Sequence, residues 1–437
     1  MLKVAITTLG CKTNQFESAA MSEGLAKEGF SVVPFDQEAD IYIINTCTVT
    51  ARTDAESRRL VRRANRRNPN ARIVVTGCYA QVAPDQLAAI EEVSLVIGNA
   101  EKKGLAALLK DGESRARIVV SDIERETMAE ALPLETFSEH TRAFLQVQNG
   151  CDSFCSYCIV PYARGRSRSV MPVAVLAGIG RLAGEGFKEV VLTGIHLGGY
   201  GRDLKPATNL LALIQEIERQ RLTGRLRLGS LEPLDITTEL IDFLGRSEIV
   251  CPHLHIPLQS GSDTLLSRMN RGYGSAYFQA LVERLVEVIP DINIGLDVIA
   301  GFPGESAAEF DETFRLIERL PVGYLHVFPF SARPGTAAFA MPGHLPNRVI
   351  TQRADLLRQL GDAKRATYKE RFIGRELEIL VLRRNGEGLW NGLSRNYLSV
   401  DFNGPESLVN TEVRVKIASL RGDRLYGDDI FPSYPTI

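Results

Sequence analysis

Residues 144–158 read Phe-Leu-Gln-Val-Gln-Asn-Gly-Cys-Asp-Ser-Phe-Cys-Ser-Tyr-Cys: a short apolar run, a Gly-led turn, then Cys151, Cys155 and Cys158. The run has the length of a buried strand. Five more follow at 189–193, 225–229, 253–258, 293–300 and 324–330, with helical stretches between them. Six such β/α units predict an open or partial (β/α)6 barrel of the TIM type, whose chemistry sits at the carboxyl-terminal mouth. The cysteine loop falls at that mouth. A C-x-x-x-C-x-x-C spacing lets one loop hold three irons of a cubane cluster and leaves a fourth iron without a protein ligand. Structural zinc wants a fourth ligand and usually paired C-x-x-C knuckles, which this loop lacks.

Upstream, residues 1–120 carry apolar runs at 3–9, 41–45 and 73–76, each followed two residues later by a cysteine: Cys11, Cys47 and Cys78. This α/β pattern predicts a parallel sheet with all three thiols at its carboxyl edge, where ligand sites of open α/β sheets form. The alternative is three small buried core residues. Residues 121–140 are charged and weakly periodic, a linker into the central domain at 141–373. From residue 374 the pattern turns to alternation, Leu377, Ile379 and Val381, then Val413, Val415 and Ile417. Residues 374–437 are therefore expected to form a small antiparallel β-barrel, an architecture often used on nucleic acid. Its basic residues cluster in part, Arg383 with Arg384 and Arg414 with Lys416. Trp390, Tyr397 and Tyr426 either stack on bases or fill the barrel core.

The whole chain is 437 residues, 44% of them apolar, enough for two or three packed domains. No apolar run approaches the ~18 residues of a membrane span, and no leader pattern precedes the first strand. A cytoplasmic, reducing setting is expected, with the seven cysteines ligating metal or idle rather than paired. Net charge is −2, so any nucleic-acid surface must be local. The candidate is Arg58, Arg59, Arg62, Arg63, Arg66 and Arg67, two parallel rows on one helix with only Glu56 near enough to neutralise them. The competing reading is a solvated helix face. Cys251, just before the fourth barrel strand, lies at the end opposite the chemistry and reads as structural. His253, His255 and His326 lie on barrel strands and read as hydrogen-bonded core residues.

The cluster loop resembles the radical S-adenosylmethionine superfamily. That resemblance implies that Cys151, Cys155 and Cys158 hold a [4Fe-4S] cluster whose open iron chelates the methionine moiety of S-adenosyl-L-methionine. It also implies that Tyr157 packs near the adenine, that Thr193-Gly194 admits the methionine carboxylate, and that Ser230 and Glu232 of GSLEP bind ribose or amine. Gln259 and Ser260 of HIPLQSGS are expected at the same mouth. Taken with TLGCKTNQFES, NTCTV, TGC, GCDSFCSYCIVPYARGRSRS and HIPLQSGSDTLLSRMNRGY, the chain is similar over nearly its whole length to the methylthiotransferase family. The terminal barrel is then similar to that family's RNA-binding TRAM domain.

The family resemblance implies a second [4Fe-4S] cluster on Cys11, Cys47 and Cys78 and the addition of a methylthio group to adenine C2. Two S-adenosylmethionine molecules are consumed, one as radical source and one as methyl donor. LGCKTNQFES and NTCTVT look most like the branch that acts on threonylcarbamoyladenosine beside the tRNA anticodon, although Thr13 stands where an apolar residue is expected. Implied partners are tRNA, an electron donor such as flavodoxin or ferredoxin, and a sulfur donor, with no membrane and no DNA. Arg59, Arg63, Arg67, Arg383 and Arg414 are the expected RNA contacts. Arg164, Arg166 and Arg168 either pair with the substrate carboxylate or brace the cluster loop. Competing readings are the same chemistry on isopentenyladenosine or on a ribosomal-protein aspartate, and a non-catalytic iron-sulfur protein that binds RNA.

Overall fold

The computed structural model describes residues 1–110, 117–129 and 141–432. It is an α/β structure of three successive parts. The first is a six-stranded, all-parallel sheet of β1 (Lys3–Thr8), β2 (Ser31–Val33), β3 (Ile41–Thr46), β4 (Arg72–Gly77), β5 (Leu95–Ile97) and β6 (Arg117–Val119), in the order β2-β1-β3-β4-β5-β6. The β3 strand is buried throughout because helices cover both sheet faces, among them α1 (Lys12–Lys27) and α2 (Ala51–Arg67). A capping box between Thr50 and Thr53 opens α2. Of the segment 121–140, residues 121–129 are described and bury Ile123; the rest lies outside the described residues.

The central part has six parallel strands: β7 (Arg142–Gln146), then, after a ribbon of β8 (Gln148–Asn149) and β9 (Arg168–Ser169), β10 (Glu189–Thr193), β11 (Arg225–Leu228), β12 (His253–Gln259), β13 (Asn293–Ala300) and β14 (Tyr324–Pro329). They form two three-stranded sheets, joined where Leu226 bridges Val250 and Ser230 bridges His255, so the arc runs β7-β10-β11-β12-β13-β14 and stays open between its ends. Successive side chains alternate across the arc. Val190, Leu192, Leu226, Leu254, Ile256, Ile294 and Leu296 pack outward with helix residues such as Ile179, Leu213 and Ile214. The opposite, inner face carries Glu189, Arg225, Arg227, His253, His255, Asp297, Tyr324 and His326. The lumen is therefore polar.

The third part is a closed barrel, β15 (Glu376–Arg384), β16 (Trp390–Ser394), β17 (Ser399–Phe402), β18 (Glu412–Arg421) and β19 (Arg424–Pro432). It is antiparallel at every seam but one, since β17 pairs β19 in parallel to close it. Trp390, Phe402, Val381, Val400 and Val415 fill its core.

Packing between the parts positions the site. The turn after β16 plugs the amino-terminal floor of the arc: Arg225 donates to Leu393 O at 3.1 Å, Arg227 to Arg395 O at 3.0 Å and Asn293 to Asn396 O at 2.9 Å. Tyr397 enters there, its ring centroid 4.4 Å from that of His253. The first part covers the open side of the arc. Phe16 and Ala20 of α1 share one core with Ala143 and Leu145 of β7, while beyond β14 Arg333 pairs with Asp54 and donates to Thr48 Oγ1 at 2.7 Å. No helix among the described residues is long and apolar enough to cross a membrane.

Candidate metal centre

Cys151, Cys155 and Cys158 lie on the loop between β8 and the short helix Val160–Arg164, at the carboxyl mouth of the arc. Backbone hydrogen bonds pin the loop: Cys151 N to Gly165 O at 3.0 Å, Cys158 N to Cys155 O at 2.9 Å and Ser156 N to Met269 O at 3.0 Å. The three thiols differ in their surroundings. Burial pushes the Cys151 thiol up, but His196 Nδ1 at 3.8 Å and Ser153 N–H at 3.4 Å outweigh it, leaving its pKa below the ordinary value. His196 is itself raised to about 10, because Asp235, 2.6 Å from Nε2, and Cys151 together overcome the effect of burial. Burial raises Cys155 despite Arg271 Nη1 at 3.2 Å, and it pushes Cys158 up to about 12. Metal ligation needs thiolates, and this frame supplies cations to two of the three. Beside the loop is a cavity of about 250 Å³ whose lining includes Ser153, Cys155, His196, Glu232, Asp235 and Arg271. The donor set and the open side fit an iron-sulfur cube with one iron left for a small-molecule ligand.

The strand-end residues expected around this loop take distinct places. Glu232 ion-pairs with Arg271, which bridges it to Cys155. Tyr157 packs beside Leu265, Met269 and Phe302. Thr193 is buried and donates to Leu145 O at 3.3 Å. A Cβ on Gly194 would lie 2.9 Å from Gln148 Oε1, the atom that accepts from His196 N–H at 2.8 Å. Ser230 is exposed and donates to His255 O at 3.3 Å. Gln259 sits at a register shift with φ 65°. Ser260 instead turns into the helix Ala307–Arg319, 3.0 Å from Thr313 Oγ1. Sequence reasoning missed His196, Asp235 and Arg271. His196 lies two residues past Thr193-Gly194 and Arg271 within MNRGY, so both stand beside readable motifs; Asp235 gives no signal of its own.

Cys11, Cys47 and Cys78 follow β1, β3 and β4 on one sheet edge. Two glycines bring them together. A Cβ on Gly10 (φ +96°) would fall 2.8 Å from Cys47 Sγ, and one on Gly77 (φ +97°) would fall 2.4 Å from Thr46 O. Burial, reinforced by neighbouring Cys78 and Cys11, pushes the Cys47 thiol up to about 12. Arg164 reaches this set from the cluster loop's own helix and donates through Nε to Cys78 Sγ at 3.3 Å. It is fully buried, pairs with Glu17 and donates to Asn14. Lys102 also pairs with Glu17 and donates to Asn45 Oδ1 at 3.2 Å. Burial alone would raise Glu17; the two cations bring it down to about 2.

Arg164 thus braces the two cysteine sets and is committed away from any substrate carboxylate. Arg168 is buried too, donating to Glu126 O and Arg164 O. Arg166 stays outside, 4.8 Å over the Phe154 ring and 3.6 Å from Asp152.

On α2, Arg59, Arg62, Arg63 and Arg66 are exposed, whereas Arg58 donates to Tyr79 Oη and Arg67 turns back to Phe35 O. On the terminal barrel Arg383 is exposed and Arg414 lies 3.3 Å from Glu376. Trp390 is a core residue whose Nε1 donates to Pro405 O at 3.0 Å, and Tyr397 belongs to the arc's floor; neither ring is free to stack on a base. Tyr426 is half-buried with Arg421 4.8 Å over its ring. In the lumen His255 lies 2.8 Å and His326 3.4 Å from Asp297 Oδ1. Cys251 is buried at the floor, 3.9 Å from Glu189.

An open parallel arc with a three-cysteine loop at its mouth defines a radical S-adenosylmethionine enzyme, and residues 145–317 match the family model of the radical SAM superfamily. Residues 3–98 match the model described as uncharacterized protein family UPF0004. The chain is 40% identical over 95% of its length to the threonylcarbamoyladenosine tRNA methylthiotransferase MtaB of Aquifex aeolicus, of which it covers 100%. It is 39% identical, over 95% of its length and 94% of the relative, to the protein of that name from Bacillus subtilis. Identity to the tRNA-2-methylthio-N(6)-dimethylallyladenosine synthase of Moorella thermoacetica is 33%, over 97% of each chain. Among solved structures it is similar to the radical S-adenosylmethionine methyltransferase TsrM of Kitasatospora setae, with TM-score 0.54, 17% identity and 76% and 74% of the two chains covered, a likeness of fold. The chain belongs to the methylthiotransferase family of radical S-adenosylmethionine enzymes, in the threonylcarbamoyladenosine branch.

Proposed function

We infer that this enzyme adds a methylthio group to C2 of N6-threonylcarbamoyladenosine next to the tRNA anticodon. The observation that carries this reading is the pairing of two three-cysteine sets, one per domain, braced by the single side chain of Arg164. The relatives' substrate supplies the target. When bound, a [4Fe-4S] cluster at Cys151, Cys155 and Cys158 supplies the electron for reductive cleavage of S-adenosylmethionine, and one at Cys11, Cys47 and Cys78 supplies a site for sulfur.

The chain's own residues do the rest. His196, kept protonated by Asp235, and Arg271, fixed by Glu232, donate to the cluster-loop thiols. Arg164 balances charge at Cys78. The first domain covers the arc's open side, keeping solvent from a reactive intermediate. The exposed arginines of α2 and of the terminal TRAM-like barrel hold phosphates of tRNA, in a cytoplasmic enzyme served by a low-potential electron donor and a sulfur donor.

The test is an anaerobic assay offering two anticodon stem-loops, one carrying the threonylcarbamoyl and one the isopentenyl group. Mass analysis of the nucleosides should find the methylthio group on the first. Modification of the second alone would move the chain to the neighbouring branch.

A further inference from the structure

The carboxylate that distinguishes threonylcarbamoyladenosine needs a cation within reach of the N6 substituent, and of Arg164, Arg166 and Arg168 none is available inside the barrel: two are buried on other partners and Arg166 lies in solvent beside Asp152. Lys12 is available. It follows the thiol of Cys11 directly in the first turn of α1, the helix that shares a core with β7 at the arc's open side. Its side chain is half-buried, yet among the described residues its amine has no hydrogen-bond or ion-pair acceptor. The other buried cations of this region all do: Arg164 and Lys102 share Glu17, Arg225 and Arg227 share Glu189. The amine lies within electrostatic reach of Tyr397, Arg142, Arg227 and Glu189, which places it toward the polar lumen.

The charge there does not balance. Lys12, Arg142, Arg225 and Arg227 face two carboxylates, Glu189 and Glu412, and the phenol oxygen of Tyr397, which accepts from Arg142 and whose pKa, against the effect of burial, Lys12, Arg142 and Arg227 lower. His253 adds a buried ring nitrogen, Nδ1, with no hydrogen-bond partner among the described residues. Cations withdrawn from water without matching anions are costly, so this end of the lumen favours an incoming anion. Adenine C2 and N6 flank N1 and lie on one edge of the ring. Lys12 follows Cys11 in the chain and its amine reaches toward the floor of the lumen, so it can meet a group that projects from N6 into the lumen while C2 faces the thiol set.

We propose that Lys12 is a specificity-determining residue that pairs with the carboxylate of the substrate's N6 substituent inside the barrel. This rests on the proposed substrate. Titrate the reconstituted full-length enzyme by fluorescence anisotropy with three anticodon stem-loops: one carrying the threonylcarbamoyl group, one carrying its carboxamide analogue, and one unmodified. The wild type should prefer the carboxylate, and Lys12→Met should lose about tenfold or more of affinity for that loop alone, becoming indifferent between carboxylate and carboxamide. Lys12→Arg should keep part of the preference. A wild type that prefers the carboxylate and a Lys12→Met that retains the preference would overturn the role of Lys12. A wild type with no preference among the three loops would overturn the substrate reading itself. Iron content and melting temperature of each variant separate a folding defect from a binding one; if Lys12→Met fails to fold, Lys12→Gln carries the same comparison.

Discussion

Arg164 Nε and Cys78 Sγ lie 3.3 Å apart, although 86 residues separate them and they belong to different domains. Arg164 closes the short helix that begins just after Cys158, so one helical turn links the barrel cysteines to the cysteines of the first sheet. The guanidinium is fully buried and held by Glu17 and Asn14. Replacing it with methionine strands Glu17 with Lys102 alone. We expect Arg164→Met to cost about 3–5 kcal/mol, the usual penalty for breaking a buried pair, read as a lower urea midpoint. Iron bound by the first domain should fall with it. An unchanged midpoint would mean that Arg164 is dispensable as a brace.

Two independent cysteine sets imply two independent defects. Alanine at Cys151, Cys155 and Cys158 together should remove about half of the roughly eight irons and all cleavage of S-adenosylmethionine. Alanine at Cys11, Cys47 and Cys78 should remove the other half, leave cleavage intact and abolish sulfur transfer. Iron assay and detection of 5′-deoxyadenosine separate the two. Cleavage that survives removal of the barrel set would refute the assignment of that loop.

The lumen floor should make the fold acid-sensitive. His253 is buried, its pKa pushed well below 6.5 first by burial and then by Arg227, Lys12, His255 and Arg142; Tyr324 Oη at 2.8 Å and Tyr397 complete its surroundings. The folded state keeps the ring neutral while the unfolded chain takes up a proton below about 6.5, so stability is full above that pH and falls as pH drops, by at most about 1.4 kcal/mol per unit. His253→Gln should flatten the pH dependence of the urea midpoint between about 6.5 and 5. An identical slope in wild type and variant would assign the acid sensitivity elsewhere.

Much of this is legible in the sequence because the signals are local. Six apolar runs mark the arc, and glycine-cysteine or threonine-cysteine pairs mark three strand ends. The short strands β2, β5 and β6 escape notice: three residues each carry too little periodicity. What the sequence hides is which way a polar side chain turns. Arg164, Arg166 and Arg168 read as one basic loop, but burial sends Arg164 into the first domain and leaves Arg166 in solvent. Tyr397 likewise reads as a ring of a nucleic-acid barrel, and only the docking of one turn on another domain makes it a floor. Side chains that meet from distant parts of the chain have no sequence period to reveal them.

The α2 helix turns a row of arginines to solvent. Thr50 caps the helix, Leu60, Val61 and Ala64 bury one face, and the helical repeat then leaves Arg59, Arg62, Arg63 and Arg66 on the other. Glu56 pairs with Arg59 at 2.7 Å, which neutralises one of the four in part. Four like charges on one exposed face repel one another, a cost that an RNA backbone removes as it releases its counterions. Glutamine at Arg62, Arg63 and Arg66 keeps helix propensity and leaves the buried face untouched, so melting temperature should not move. Binding to tRNA should weaken, and the slope of log affinity against log salt should shrink by about 0.7 to 0.9 for each phosphate no longer neutralised. Arg67→Gln should change that slope little, because its guanidinium is turned to Phe35 O. A triple variant with the wild-type slope would show that this face is only solvated, leaving the terminal barrel as the RNA surface.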